Sequence, residues 1–330
     1  MEKTSSEPKA EKKEAVPGAL NLSLAVVAMT VTLTMLWAAS HAESIVWILL
    51  AVFIFAFINN TVFSLLHEAV HGIFHSNLFV NEWAGRVLAA FFPTGFTLQR
   101  IAHLGHHRRN RTDAELFDYY KSGDNLLTKY FQWYGILTGI YWLIPPMASL
   151  LFLITPVPLL KRIMEYSKTS DLSYQTSADG MLSGYKSAPF ARIKLEILFS
   201  ILVQTAIVYL LDLNWVGWLA CYAAFGFNWS SLQYTDHAFS KRDVYDGAWN
   251  LRVNKVVQYI FLNYHHHKVH HQNPTISWLY LGDHIDEDEF RPSFMEIYLK
   301  MWRGPRPLPD SNAAASDIVP TGIPESKFAG

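Results

Sequence analysis

Long stretches with almost no charge constrain this chain more than any other feature. Residues 20–39, 44–66 and 213–235 contain no Asp, Glu, Lys or Arg, and residues 193–211 contain only Lys194 and Glu196, near one end. An apolar helix of about 20 residues, rising about 1.5 Å per residue, crosses the roughly 30 Å hydrocarbon core of a bilayer. The pattern predicts an all-α integral membrane protein with about four transmembrane helices. Only a few residues separate 20–39 from 44–66, and only Asp212 separates 193–211 from 213–235, so the spans read as two helical hairpins. At the end of the third span, Lys194 and Glu196 are expected to snorkel toward water.

Loop charge sets the expected orientation. The connectors Ser40–Glu43 and Asp212–Trp215 hold neither Lys nor Arg, whereas Lys12, Lys13, Arg108, Arg109, Arg111, Lys161, Arg162, Lys241 and Arg242 collect on the other side. The positive-inside rule then places both termini, and the histidine clusters described below, in the cytoplasm. Residues 1–19, rich in Lys and Glu, read as a disordered cytoplasmic tail. Ser40-His41-Ala42 could mimic a signal-peptidase site, but the apolar stretch before it is too long and its leader too acidic. Residues 305–330, rich in Pro, Ser and Ala, read as a flexible tail, which leaves 20–304 as one membrane domain. Residues 130–160 are also uncharged, yet Pro145, Pro146, Pro156 and Pro158 interrupt them. If the histidine clusters on either side share one membrane face, the chain crosses an even number of times between them. Residues 130–160 are therefore expected to lie in the interface or to be re-entrant. Residues 82–98 read as an interfacial helix, and the polar stretch 165–187 as a cytoplasmic loop.

Of 14 histidines, most fall into patterns. His67-Glu68-Ala69-Val70-His71 follows the second span. His103-Leu104-Gly105-His106-His107 and His267-Lys268-Val269-His270-His271 repeat one spacing. On a helix, positions i, i+3 and i+4 share a face, and adjacent positions differ by about 100°, so neighbouring imidazoles can reach different metals. One metal has no use for eight such rings; two metals do. Imidazoles massed beside a bilayer are costly unless they are ligands or hydrogen-bonded. His237, just after the last span, is a further candidate ligand, and Asn263 could bind directly or through water. Glu68, Glu115, Asp118 and Asp236 are the nearby carboxylates that could orient the rings. Imidazole alone does not choose among Zn, Cu, Fe and Ni.

Blander readings apply to other histidines. His41, His75 and His284 read as polar anchors, while His265 and His266 could be ligands only in another register. A rival reading takes His67-Glu68-Ala69-Val70-His71 as a zinc-protease HExxH motif with Glu68 as general base. It leaves both His-x-x-His-His clusters without a purpose. A net charge of −1 argues against a nucleic-acid partner. The single cysteine, Cys221, excludes an internal disulfide, a Cys-ligated zinc site and a built-in iron–sulfur or rubredoxin module.

With HEAVH, HLGHH and NYHHHKVHH in this order, and paired spans before the first box and between the last two, the sequence resembles the membrane fatty-acid desaturase superfamily, which includes desaturases, hydroxylases and ketolases. The resemblance covers about residues 20–300. It implies four spans under a cytoplasmic helical cap that carries a di-metal site. It also implies two iron ions held by His67, His71, His103, His106, His107, His237, His267, His270 and His271, with Asn263 matching an asparagine that often precedes the third box. O2 would be the co-substrate and an unactivated C–H of a fatty acyl lipid the target. Desaturation is the expected reaction, with hydroxylation, ketolation or terminal-alkene-forming decarboxylation as alternatives on the same scaffold. Electrons would come from a separate ferredoxin, rubredoxin or cytochrome b5-type donor with its reductase. The first box, with three residues between its histidines, differs from that of animal acyl-CoA desaturases, which has four. Arg108-Arg109-Asn110-Arg111 offers a docking patch for an acidic carrier or, more simply, an anchor at the membrane surface.

Overall fold

The structure, a computed structural model, describes residues 14–166, 182 and 184–309. The outer parts of both expected tails, 1–13 and 310–330, lie outside the described residues, as does most of the expected loop 165–187. Helix α1 (Gly18–His41) packs against α2 (Ile45–Val70). The buried stripe of α1 includes Asn21, Ala25, Ala28, Thr32, Leu36 and Ala39, in steps of three or four residues. Its small members let the two backbones approach closely. Other faces are apolar and exposed, as with Val26, Val27, Trp47 and Phe53, which suits lipid rather than water.

After a turn come α3 (Leu78–Phe91) and α4 (Phe96–Arg109). The stretch 82–98, expected to be one interfacial helix, is broken at Phe92–Gly95, where Pro93 lies. Between α4 and the next helix, β1 (Tyr119–Tyr120) pairs in parallel with β2 (Arg306–Pro307). Residues 126–166 form α5 (Leu126–Leu137), a 3-10 turn (Ile140–Leu143), α6 (Ile144–Ile154) and α7 (Val157–Tyr166). The chain bends by 88° between α5 and the turn that leads into α6. At the bend, Gly139 has φ +88°, and a Cβ there would stand 2.7 Å from the Phe227 backbone nitrogen. Glycine is needed for both the conformation and the close approach. Pro145 and Pro146 sit in the first turn of α6, where a missing N–H costs nothing.

Helix α8 (Phe190–Leu210) and α9 (Trp215–Thr235) follow. Among the described residues, three helices, α1, α2 and α8, are long and apolar enough to cross a membrane, and the bent α5–α6 stretch would make a fourth of like composition. Helix α9 was expected to be the fourth span. It is 21 residues long and uncharged, but Asn228, Ser230, Ser231 and Gln233 make its second half more polar. The expected second hairpin is splayed. Helix α9 packs on α2 and α1, while α8 packs on α3, α4 and α6. Gln204 joins the two through the Tyr222 hydroxyl and the Trp218 indole N–H, at 2.8 and 3.2 Å.

Lys194 and Glu196, near the start of α8, both engage neighbouring segments. Glu196 is buried and accepts from the Thr97 backbone N–H at 2.6 Å and the Thr97 hydroxyl at 3.0 Å. It caps the N-terminus of α4, where a carboxylate meets both free N–H groups and the positive end of the helix dipole. Lys194 donates to the Leu153 and Thr155 carbonyls at the C-terminus of α6. Short helices α10 (Lys255–Ile260), α11 (His267–Gln272) and α12 (Phe294–Met301) complete the cap.

Candidate metal centre

The nine histidines named above converge from four segments. His67 lies in the last turn of α2 and His71 caps it; His103, His106 and His107 lie on α4; His237 follows α9; His267, His270 and His271 lie on α11. They form two groups, His67, His71, His103, His107 and His270 in one, His106, His237, His267 and His271 in the other. Within each group the candidate ligand atoms all lie within 4.8 Å of one another. The helical spacing explains the division. The i, i+4 pairs 67/71, 103/107 and 267/271 each stay together, while the adjacent pairs 106/107 and 270/271 split between groups.

The nitrogen geometry fits metal ions. His103 Nε2 lies 2.9 Å from His71 Nε2 and 3.0 Å from His107 Nε2, and His270 Nε2 lies 3.1 Å from His107 Nε2. In the other group, the Nε2 atoms of His106 and His237 are 3.2 Å apart. A neutral imidazole has one N–H, so such a knot cannot be fully hydrogen-bonded. Nitrogens bound at 2.0–2.1 Å to a shared ion, at right angles, stand about 3 Å apart. His67 Nε2 and both ring nitrogens of His271 are buried without any hydrogen-bond partner. Burial first, and the neighbouring imidazoles second, hold His103, His107, His267, His270 and His271 well below the ordinary imidazole range. The rings are thus neutral and offer lone pairs.

Two rings have a defined tautomer. His237 Nδ1 donates to the Gly247 carbonyl at 2.9 Å, and His106 Nδ1 lies 2.6 Å from Glu115 Oε2. In each the N–H is spent on an outer oxygen, which turns the Nε2 lone pair inward. Burial would raise the Glu115 carboxyl, but His106 and Arg109 hold it below its usual range. Asp236 is fully buried, its Oδ2 3.5 Å from His267 Nδ1, and burial pushes its carboxyl well up. Glu68 accepts from the Ser277 hydroxyl and the Trp278 backbone N–H.

Three expectations change here. Asp118 touches no histidine: it is wholly buried among Arg111, the Tyr234 hydroxyl and the Phe239 N–H, and it braces the loop after α4. Asn263 stands outside both groups. Its amide donates to the Trp278 carbonyl and its oxygen accepts from Gln258. In the stretch Arg108–Arg111, expected to be a docking patch or a membrane anchor, two of the three arginines turn to internal partners: Arg109 bonds Glu115 and Arg111 is buried on Asp118, while Asn110 is buried on the Val244 and Gly247 carbonyls. Among the other histidines, His41, His75, His265, His266 and His284 also stand outside both groups.

Some residues of the centre carry no signal in the sequence. Arg100 donates to the Ala69 and Val70 carbonyls, tying α4 to the end of α2. Tyr264 places its ring 5.1 Å from both His67 and His267, one in each group. A cavity of about 460 Å³ runs from His103, His106, His237 and His267 to the wall formed by α5 and α6. A second void of about 10 Å³, room for roughly one water, touches His67, His270 and His267.

The profile of one protein family, described as "Fatty acid desaturase", matches residues 42–302, a stretch that includes all nine histidines. The chain belongs to the fatty acid desaturase family. It is a desaturase-like membrane oxidoreductase, and its family acts on fatty acyl chains. No curated protein matches the chain. In this desaturase-family member, the HExxH histidines stand with three further imidazoles and Glu68 is engaged by Ser277 and Trp278. A zinc peptidase needs three ligands and an open position, so this arrangement lends the protease reading no support.

Proposed function

We propose that the protein is a di-iron, O2-dependent oxidase that desaturates a fatty acyl chain. The observation that carries this reading is the pair of imidazole groups at the inner end of a largely apolar cavity. Five histidines would hold one iron and four the other. Bound iron would supply the O2 and one-electron chemistry that side chains lack. The protein's part is positioning. Glu115 and the Gly247 carbonyl fix ring orientation at His106 and His237, while Asp236 stands 3.5 Å from His267 Nδ1 without a hydrogen bond. The cavity, within the usual size range for small-molecule sites, holds the chain away from water with one stretch against the histidines.

Desaturation takes two hydrogens from adjacent carbons and reduces O2 to two waters. Two of the four electrons come from the substrate and two, with two protons, from outside. A separate donor of the ferredoxin, rubredoxin or cytochrome b5 type, with its reductase, would supply them. By the positive-inside rule, the site and both termini would lie in the cytoplasm, where such carriers reside. The test is metal and product analysis of the purified protein supplied with donor, reductase, NADPH and O2. About two irons per chain, lost together with product in His106→Ala and His270→Ala, is the expected result. An alkene product supports desaturation; an alcohol, a ketone or released CO2 would replace that reaction with another on the same site. One zinc per chain and no O2 uptake would overturn the reading.

A further inference from the structure

The wall of the large cavity is uneven in its exposure. Among the described residues that line it, only Phe131, Ile140 and Ile144 are exposed, at 68%, 49% and 44%. All are apolar. Phe131 lies on α5, Ile140 in the 3-10 turn and Ile144 at the start of α6, so they flank the bend. The surface around them is apolar too: Leu127 on α5, then Met147, Leu151 and Ile154 on α6, are all more than half exposed. No charged residue occurs from Tyr130 to Leu160. A water-facing rim of this composition would be costly, whereas the same surface is stable against hydrocarbon. It is also continuous with α8, a candidate span that packs on α6.

The cavity's inner charges offer no anchor for a phosphorylated carrier. Arg109, the one Lys or Arg in the described wall, is engaged by Glu115 through both Nε and Nη2 at 3.1 Å.

We propose that the substrate reaches the histidines sideways from the bilayer, through the gap between α5 and α6, as an alkyl chain already dissolved in the membrane. This rests on the functional reading above and narrows its substrate to a membrane amphiphile, a free fatty acid or a lipid-bound acyl group, in place of a chain delivered from water on a soluble thioester carrier. Phe131, Ile140 and Ile144 form the rim that the chain passes.

The experiment uses the full-length, iron-loaded protein in phosphatidylcholine vesicles. A nitroxide on Ile144→Cys is compared with one on Asp286→Cys, an exposed cap position; the native Cys221 is buried. Expected at 144 are relaxation by O2 exceeding that by a water-soluble nickel chelate, and the reverse at 286. A fatty acid bearing a diazirine, dissolved in the vesicles, should crosslink within residues 126–154 and be displaced by unlabelled free acid or by phospholipid-bound acyl chains; which of the two competes identifies the source. Ile144→Trp should raise the substrate mole fraction needed for half-maximal rate about tenfold with iron content unchanged. Nickel relaxation dominating at 144, or crosslinks displaced by an acyl thioester of a soluble carrier protein and not by bilayer chains, would overturn the proposal. The label and crosslink measurements need no turnover. They decide the route even where no oxidised product forms, a result that would overturn the functional reading alone.

Discussion

Glu115 faces His106 with one oxygen and Arg109 with the other: Oε2 lies 2.6 Å from His106 Nδ1, and Oε1 accepts from Arg109 Nε at 3.1 Å. The arginine holds the carboxylate in place and the carboxylate holds the ring. Such outer partners typically change metal affinity or activity by 10–100-fold. Glu115→Gln should therefore lower product rate roughly 10-fold, and Glu115→Ala closer to 100-fold, through loss of iron from the four-histidine group. Iron per chain, measured alongside rate, checks this. Full iron with full activity in Glu115→Ala would show the contact to be idle.

The partner of His237 is a backbone carbonyl, so no side-chain deletion removes it. Gly247 can be filled instead. A Cβ there would lie 2.1 Å from the Asp243 carbonyl oxygen and 2.4 Å from Arg111 Cγ, and the first of these is backbone that has little room to yield. Gly247→Ala should cost about 1–3 kcal/mol of stability and turn His237 away from the centre. Thermal unfolding and iron content should fall together. Unchanged unfolding with normal iron would mean that the loop shifts freely.

Arg100 crosses between two helices that carry candidate metal ligands. Its guanidinium donates to Ala69 and Val70 at the end of α2 and pairs with Glu82 at 2.6 Å, while its own helix carries the second histidine box. Arg100→Met leaves two buried carbonyls and a carboxylate short of donors, a loss on the order of 2–5 kcal/mol for a partly buried charge network. Lysine has no planar fork and should restore little. Iron retention measured for Met and Lys variants separates a positional role, in which both fail, from a simple need for charge, in which Lys suffices.

How much of this was readable from residue order depends on range. The three boxes were legible because helical spacing is local: i, i+4 pairing and the splitting of 106 from 107 follow from turn geometry alone. Three of the expected spans, now α1, α2 and α8, were legible from runs with little or no charge. Glu115, the partner of His106, was legible as a nearby carboxylate; the partner of His237 was not, because Gly247 is one glycine among 17 and nothing marks its carbonyl. Charge counting also misled. Arg108–Arg111 reads as a surface patch until Asp118 and Glu115 fold back onto it. Glu196 reads as a snorkelling residue until Thr97, 99 positions away in sequence, presents the start of α4 to it. Asn263 has the right place in the chain, but its amide is used by Gln258 and Trp278 in a turn where its own φ is +54°.

Acid should dismantle the centre cooperatively. His103, His107, His237, His267, His270 and His271 are all held well below the value of 6.5 that they regain on unfolding, chiefly by burial and then by one another. Below pH 6.5 the unfolded chain takes up protons that the folded one refuses. The unfolded state then binds more protons, so stability falls as pH falls, by about 1.4 kcal/mol per pH unit for each such histidine. Glu115 acts in the same sense at lower pH: its folded value lies below 4.5, so its contribution is present above 4.5 and is lost as pH drops through the folded value. Protons also compete with metal for the same nitrogens. The expectation is a plateau of stability and iron content above about pH 6.5 and a steep loss below it, with a slope of more than one proton per iron released. Iron release and unfolding followed together between pH 8 and pH 4.5 test this. A shallow one-proton transition, or iron fully retained at pH 5, would show that these imidazoles do not act as one unit.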